Sequence, residues 1–142
     1  MNKKINELIP MAIKAIENSN IAVNGIVEKE YNGYIASMGA SITHSRLLPT
    51  IAFYSNESGS KDKRLNLMRA ILLLLDDSAG TDDKLLKYII TNSKLNPDQN
   101  TNPITLNSLD PNKLALFEKR ITDVIIALKL ALRTFKEKEK EI

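Results

Sequence analysis

Apolar residues recur along most of this chain at steps of three and four, the spacing that lines one face of a helix. Over residues 3–18, Ile5, Ile9, Ala12 and Ile16, flanked by Leu8 and Ile13, form one broad apolar face, with Lys4, Glu7, Lys14 and Glu17 left to solvent. Pro10 falls inside this stretch and has no amide hydrogen to donate, so a bend there, or a start near Glu7, is expected. Residues 19–25 break the period with Ser and Asn turn residues. Ile26 and Val27 resume it, and a second helix is expected to run to about His44. Within it Tyr31, Ile35, Met38 and Ile42 form a bulky stripe, while Gly33, Ser37 and Ser41 recur every four on a nearly bare neighbouring face. A bare face admits a close second helix, which places this element in the middle of a bundle.

Ser45 is the expected N-cap of a third helix, with residues 46–49 as its first turn, where a proline costs least, and with an end near Asn56. After a Ser-Gly-Ser loop, Leu65, Met68, Leu72 and Leu75 mark a fourth helix that ends by residues 76–80. Thr81, Asp82 and Asp83 place acids at the positive end of a short fifth helix carrying Leu85, Leu86, Ile89 and Ile90. Residues 92–112 are rich in Asn and Pro, with Leu95, Ile104, Leu106 and Leu109 as their few apolar positions, and are expected to form a long loop. Asp110 then caps and Pro111 opens the longest helix, whose stripe of Leu114, Phe117, Ile121, Val124, Leu128, Ala131 and Phe135, widened by Ile125 and Leu132, makes it the spine of the bundle. Residues 136–141 alternate Lys and Glu and are expected to be a solvated, fraying helix end. The fold class is all-α: residues 1–142 as a single compact bundle of five or six helices with a long C-terminal helix.

Residues 28–55 also carry a resemblance. The order Tyr31-x-Gly33-Tyr34, Ala36-Ser37-x-Gly39-Ala40, then Leu47-Leu48-Pro49-Thr50-Ile51-Ala52-Phe53 resembles the small helical subunit of the Cmr complex, the type III-B CRISPR RNA-guided effector. In that family a Gly commonly stands immediately before the Leu pair, whereas this chain has Arg46. The resemblance implies a noncatalytic, cytoplasmic protein of antiviral defence. It would stack with further copies of itself beside the backbone and large subunits and help hold guide and target RNA.

Bulk properties agree with a globular protein: 142 residues can bury about two-thirds of the surface the unfolded chain exposes. The longest unbroken apolar run, residues 70–75, is far too short to cross a bilayer, so no membrane association is expected. Cysteine is absent, which excludes a disulfide scaffold and thiolate metal sites. There is no Trp, and the four Tyr and three Phe are also wanted by the core, so base stacking is a minor expectation. The net charge of +3 is spread evenly along the chain, so an anion-binding surface has to be assembled by folding.

Candidate chemistry is sparse. His44 next to Ser45 has no orienting carboxylate near it in sequence, and a histidine at a helix C-terminus is better placed to meet the end of the dipole. The doublets Asp76-Asp77 and Asp82-Asp83 lack the spacing of a cation-binding loop and suit helix ends instead. No catalytic residue, metal site, cofactor or small-molecule substrate is therefore expected. The densest basic group is Lys61, Lys63, Arg64 and Arg69, several of which could share a face, with Lys29 and Arg46 bracketing the second helix. Each could be an ordinary solvated charge; the resemblance makes the six candidates for RNA contact. Two competitors remain open. One is a helical protein-protein adaptor with no direct RNA contact. The other is a small hydrolase or nuclease dependent on His44 or on Asp82 and Asp83.

Overall fold

The computed structural model describes residues 3–55, 61–78, 84–95 and 108–138. Among them are six helices: α1 (Lys3–Asn18), α2 (Glu30–Ser45), α3 (Leu47–Tyr54), α4 (Lys61–Leu75), α5 (Leu85–Thr91) and α6 (Pro111–Leu132). Three two-residue strands, β1 (Ala22–Val23), β2 (Ile26–Val27) and β3 (Lys136–Glu137), form a small sheet at one end. The all-helical bundle expected from periodicity is the architecture found.

The first helix keeps its predicted ends. It runs through Pro10 from Lys3 rather than starting near Glu7, and the proline lies on its exposed side. Its C-terminus is closed by Asn20 at φ 62°, with the Ile21 amide donating to the Ile16 carbonyl at 3.2 Å. This six-residue closure satisfies a carbonyl that the helix end would otherwise leave bare, and it buries Ile21.

The second helix starts later than its periodicity suggests. Ile26 and Val27 belong to a hairpin, with Val23 opposite Ile26 and Ala22 opposite Val27. Asn24 and Gly25, at φ 55° and 76°, supply the two left-handed residues that a tight two-residue hairpin turn requires. This Asn-Gly signal lies plainly in the sequence, and it outweighs the apolar pair that follows. β3 then pairs parallel with β2, the Lys138 amide donating to the Val27 carbonyl at 2.8 Å. Lys136–Glu137 is thus an edge strand rather than a fraying helix end, because α6 stops at Leu132; residues 139–141 lie outside the described part.

The bulky stripe of α2 is buried as its spacing requires, but the bare face meets a helix only at Ser41, whose hydroxyl reaches Thr50 of α3. Gly33 and Ser37 are exposed, and a methyl group added at Gly33 would meet nothing within 4 Å. At about 100° per residue these positions point away from the stripe rather than beside it. The nearer neighbour is instead at Gly39, where an added methyl group would lie 3.7 Å from an Ile125 methyl of α6.

No cap is formed by Ser45, which is the last residue of α2, and Arg46 alone joins α2 to α3. A one-residue link forces an extreme backbone: Arg46 has φ 73° and ψ 176°, a region that residues with a Cβ seldom enter. Its amide donates to Ile42 O at 3.0 Å, and its carbonyl accepts from the buried Thr50 hydroxyl at 2.8 Å. Thr50 Oγ1 in turn lies 2.8 Å from Ser41 Oγ, so Ser41 donates to it and the link is clamped from both helices.

α4 packs against α1, α2, α3, α5 and α6, sharing the central place with the spine helix α6. Leu67, Met68, Ala70, Ile71, Leu72 and Leu74 are all buried, whereas the predicted Leu65 and Leu75 are half-buried. The ends of the Asn/Pro-rich stretch are pinned to each other: Leu95 N donates to Ser108 O at 2.9 Å and Asp110 N to Ser93 O at 2.7 Å. Asp110 caps α6 as expected, accepting from Asn112 N at 2.9 Å ahead of Pro111. Residues 96–107, with Ile104 and Leu106, lie outside the described part, as do the Ser-Gly-Ser loop and Thr81, Asp82 and Asp83.

Candidate nucleic-acid interface

The basic candidates are dispersed: Lys29 and Arg46 flank α2 at opposite ends, and the other four lie along α4. α2 is 16 residues long, so at 1.5 Å per residue Lys29 and Arg46 stand about 25 Å apart along its axis. Lys63 lies at the Lys29 end. Its Nζ reaches Glu28 at 2.6 Å and Glu30 at 3.8 Å, the residues on either side of Lys29. Lys138, delivered by the C-terminal strand, comes within 4.0 Å of the same Glu28 carboxylate. The strand pairing thus adds a cation to this end that the Lys-Glu alternation of the sequence conceals.

Arg46, at the other end, faces Glu118 of α6 at 3.6 Å, with its side chain 74% exposed. It borders an open, mostly apolar recess formed with Leu48, Pro49, Pro111 and Leu114.

The basic group of α4 does not share one face. A helix turns about 100° per residue, so Lys63 and Arg64 diverge by that angle and Arg69 by about 140° more from Arg64. Arg64 holds its guanidinium 5.4 Å from the centre of the Phe53 ring, the distance of a cation–π contact. Arg69 is half-buried, and neither it nor Lys29 forms an ion pair among the described residues. Lys61 holds the first position of α4; its side chain lies outside the described part.

The helix start itself adds to the positive character. Lys61, Lys63 and Arg64, with the acid Asp62 among them, occupy the first turn of α4, where the helix dipole is already positive and cations are disfavoured. With three cations against the single acid Asp62, this terminus keeps a net positive charge that suits an anion.

The Glu28–Lys63 pair shifts both partners. The hydrogen bond from Lys63, helped by the charges of Lys63 and Lys138, lowers the Glu28 carboxyl below its ordinary range. The same bond, with Glu28 and Glu30 nearby, raises the Lys63 ammonium. A depressed carboxylate stabilises the fold above its unfolded value and loses that contribution as pH falls through the folded one; a raised ammonium stabilises below its unfolded value and loses it as pH rises through the folded one. The pair is therefore intact across neutral pH. Asp76 acts with the sign of Glu28, because its carboxylate accepts from the Ser78 hydroxyl at 2.6 Å and amide at 3.1 Å. In Glu28→Gln, the decline of the urea midpoint on acidification is expected to be shallower than in the wild type. The effect should be small, since both side chains reach water. An identical acid limb would show that the pair contributes nothing.

His44 is exposed in the last turn of α2, and among the described residues no three His, Asp or Glu side chains gather as metal ligands. No helix of the described residues is long and apolar enough to cross a membrane.

No curated protein and no solved structure matches the chain at a significant level. The family described as CRISPR-associated protein (Cas_Cmr5) matches residues 6–102, a span that holds most of α1, all of α2 to α5, the α2–α3 junction at Arg46 and the basic start of α4. By that match the chain belongs to the Cas_Cmr5 family and is a Cmr-complex subunit of CRISPR defence.

Proposed function

We propose that this chain is the noncatalytic small subunit of a type III-B CRISPR RNA-guided effector. It stacks with further copies of itself beside the backbone and large subunits in the cytoplasm, and it helps hold guide and target RNA. The observation that carries the RNA-holding role is the set of cations at the start of α4, joined by Lys29 just before α2 and Lys138 just after the C-terminal strand. These groups suit contact with phosphates and carry no base-reading pattern, as a complex that delegates sequence recognition to base pairing requires. Lys63 is the least available of them, because Glu28 and Glu30 already hold its ammonium. Arg64 can pair bidentately with a phosphate, whereas Lys29 and Lys61 act as point charges.

The test is the salt dependence of single-stranded RNA binding. Each neutralised phosphate contributes a slope near 0.7, so four of them predict about three log units of affinity per tenfold change in salt. Replacing Lys29, Lys61, Arg64 and Arg69 with Gln is expected to weaken binding and to reduce the slope by about 0.7 for each phosphate that is no longer neutralised. Affinity and slope unchanged in the fourfold variant would reject this surface and favour an adaptor that touches only protein.

A further inference from the structure

We infer that Phe53 is a stacking platform for a base of single-stranded RNA, backed on one side by Arg64; this rests on the RNA-holding reading above. Phe53 is 61% exposed and is the only exposed aromatic residue among the described ones. A phenylalanine left in water forgoes the burial that its ring would gain elsewhere, while its neighbours Ile51 and Tyr54 are buried in the core. The ring is not loose. Tyr54 meets it edge to face, with ring centres 5.4 Å apart and planes at 79°, and Tyr54 is itself anchored by donating its hydroxyl to the Tyr34 carbonyl at 3.4 Å. Arg64 lies over the Phe53 ring, 5.4 Å from its centre.

An exposed aromatic face held in place beside a guanidinium, next to the cation-rich start of α4, combines the two elements of sequence-independent single-strand binding: a π surface for the base and a charge for the adjacent phosphate. The other aromatic–guanidinium pair among the described residues, Phe117 with Arg120, lacks this character. Phe117 is buried, and Arg120 donates to the Leu75 carbonyl at the end of α4.

The experiment uses the purified full chain and a labelled, unstructured single-stranded RNA, followed by anisotropy at several salt concentrations. Phe53→Ala is expected to weaken binding by about 5- to 150-fold while leaving the salt slope unchanged, because stacking releases no counterion. Arg64→Gln should instead reduce the slope by about 0.7. Phe53→Trp should keep the affinity. Because the chain has no other Trp, its fluorescence reports on this position alone and should be quenched as RNA binds. Wild-type binding with an unaffected Phe53→Ala variant and an unquenched Trp overturns the stacking role alone. A chain that binds no RNA even at low salt overturns the RNA-holding reading and the platform with it. If Phe53→Ala spares RNA binding but impairs assembly with the other subunits, Phe53 is a protein contact and the inference is wrong.

Discussion

Ile71→Ala is expected to lower the unfolding free energy by about 2–5 kcal/mol. Ile71 is 0% exposed in the second half of α4, the helix that packs against all five others. Truncation there removes the transfer free energy of the deleted carbons and leaves a cavity that walls from several helices cannot jointly close. For a domain of this size the melting temperature should fall by on the order of 10 °C. Ile126→Ala on α6 is the control. Ile126 is partly exposed, and Ala is the better helix former, so its stability should change by no more than about 0.5 kcal/mol. A loss below about 1 kcal/mol in Ile71→Ala would mean that α4 is not the packed centre of the bundle.

Arg46→Gly is expected to make the protein more stable, by about 0.5–2 kcal/mol. A residue with a Cβ at φ 73° and ψ 176° costs about 1–3 kcal/mol in strain, which glycine relieves. Glycine's greater freedom in the unfolded chain returns about 0.4–1 kcal/mol of that gain. Removing the ion pair with Glu118, at 3.6 Å from a largely exposed side chain, subtracts little. Arg46→Ala separates the two effects: it keeps the strain and removes the ion pair, so it should be neutral or slightly destabilising. Equal stability of the Gly and Ala variants in urea denaturation would show that the backbone at this link is not strained. The glycine that commonly precedes the Leu pair in the resembling family thus has a physical reason, since a one-residue connection between α2 and α3 demands a conformation that glycine adopts freely. Why arginine stands here despite the strain is not explained by its one weak ion pair.

The helices are legible wherever a local signal is complete. The apolar period of α1 and the Asp110-Pro111 start of α6 depend on residues within a turn or two of one another, and both elements lie where those residues place them. The hairpin is legible in principle, because Asn24-Gly25 is a turn signal in its own right, but the two apolar residues after it suggest a helix start and mask it. The third strand offers no such signal. Lys136 and Glu137 carry no strand propensity, and they pair through backbone groups with Ile26 and Val27, more than a hundred residues earlier.

The candidate interface divides in the same way. Composition and position along the chain single out the basic residues at the start of α4. Their pairings cannot be inferred, because Lys63 meets Glu28 only when α4 folds back to the start of α2, and Arg64 meets Phe53 only when α4 packs beside α3. Phe53 itself sits in an apolar run that predicts burial, and the exposure of its ring depends on how α3 is rotated against its neighbours.

From its residues alone this chain specifies an all-helical class, the bulky stripe of α2, the capped final helix and its kinship, since each rests on spacing or motif within a short window. The direction faced by each side chain of α4, the joining of Lys138 to the cationic end and the strained link at Arg46 come from packing. Those features depend on contacts between segments far apart in the chain, and helical periodicity states which residues share a face without stating what that face will meet.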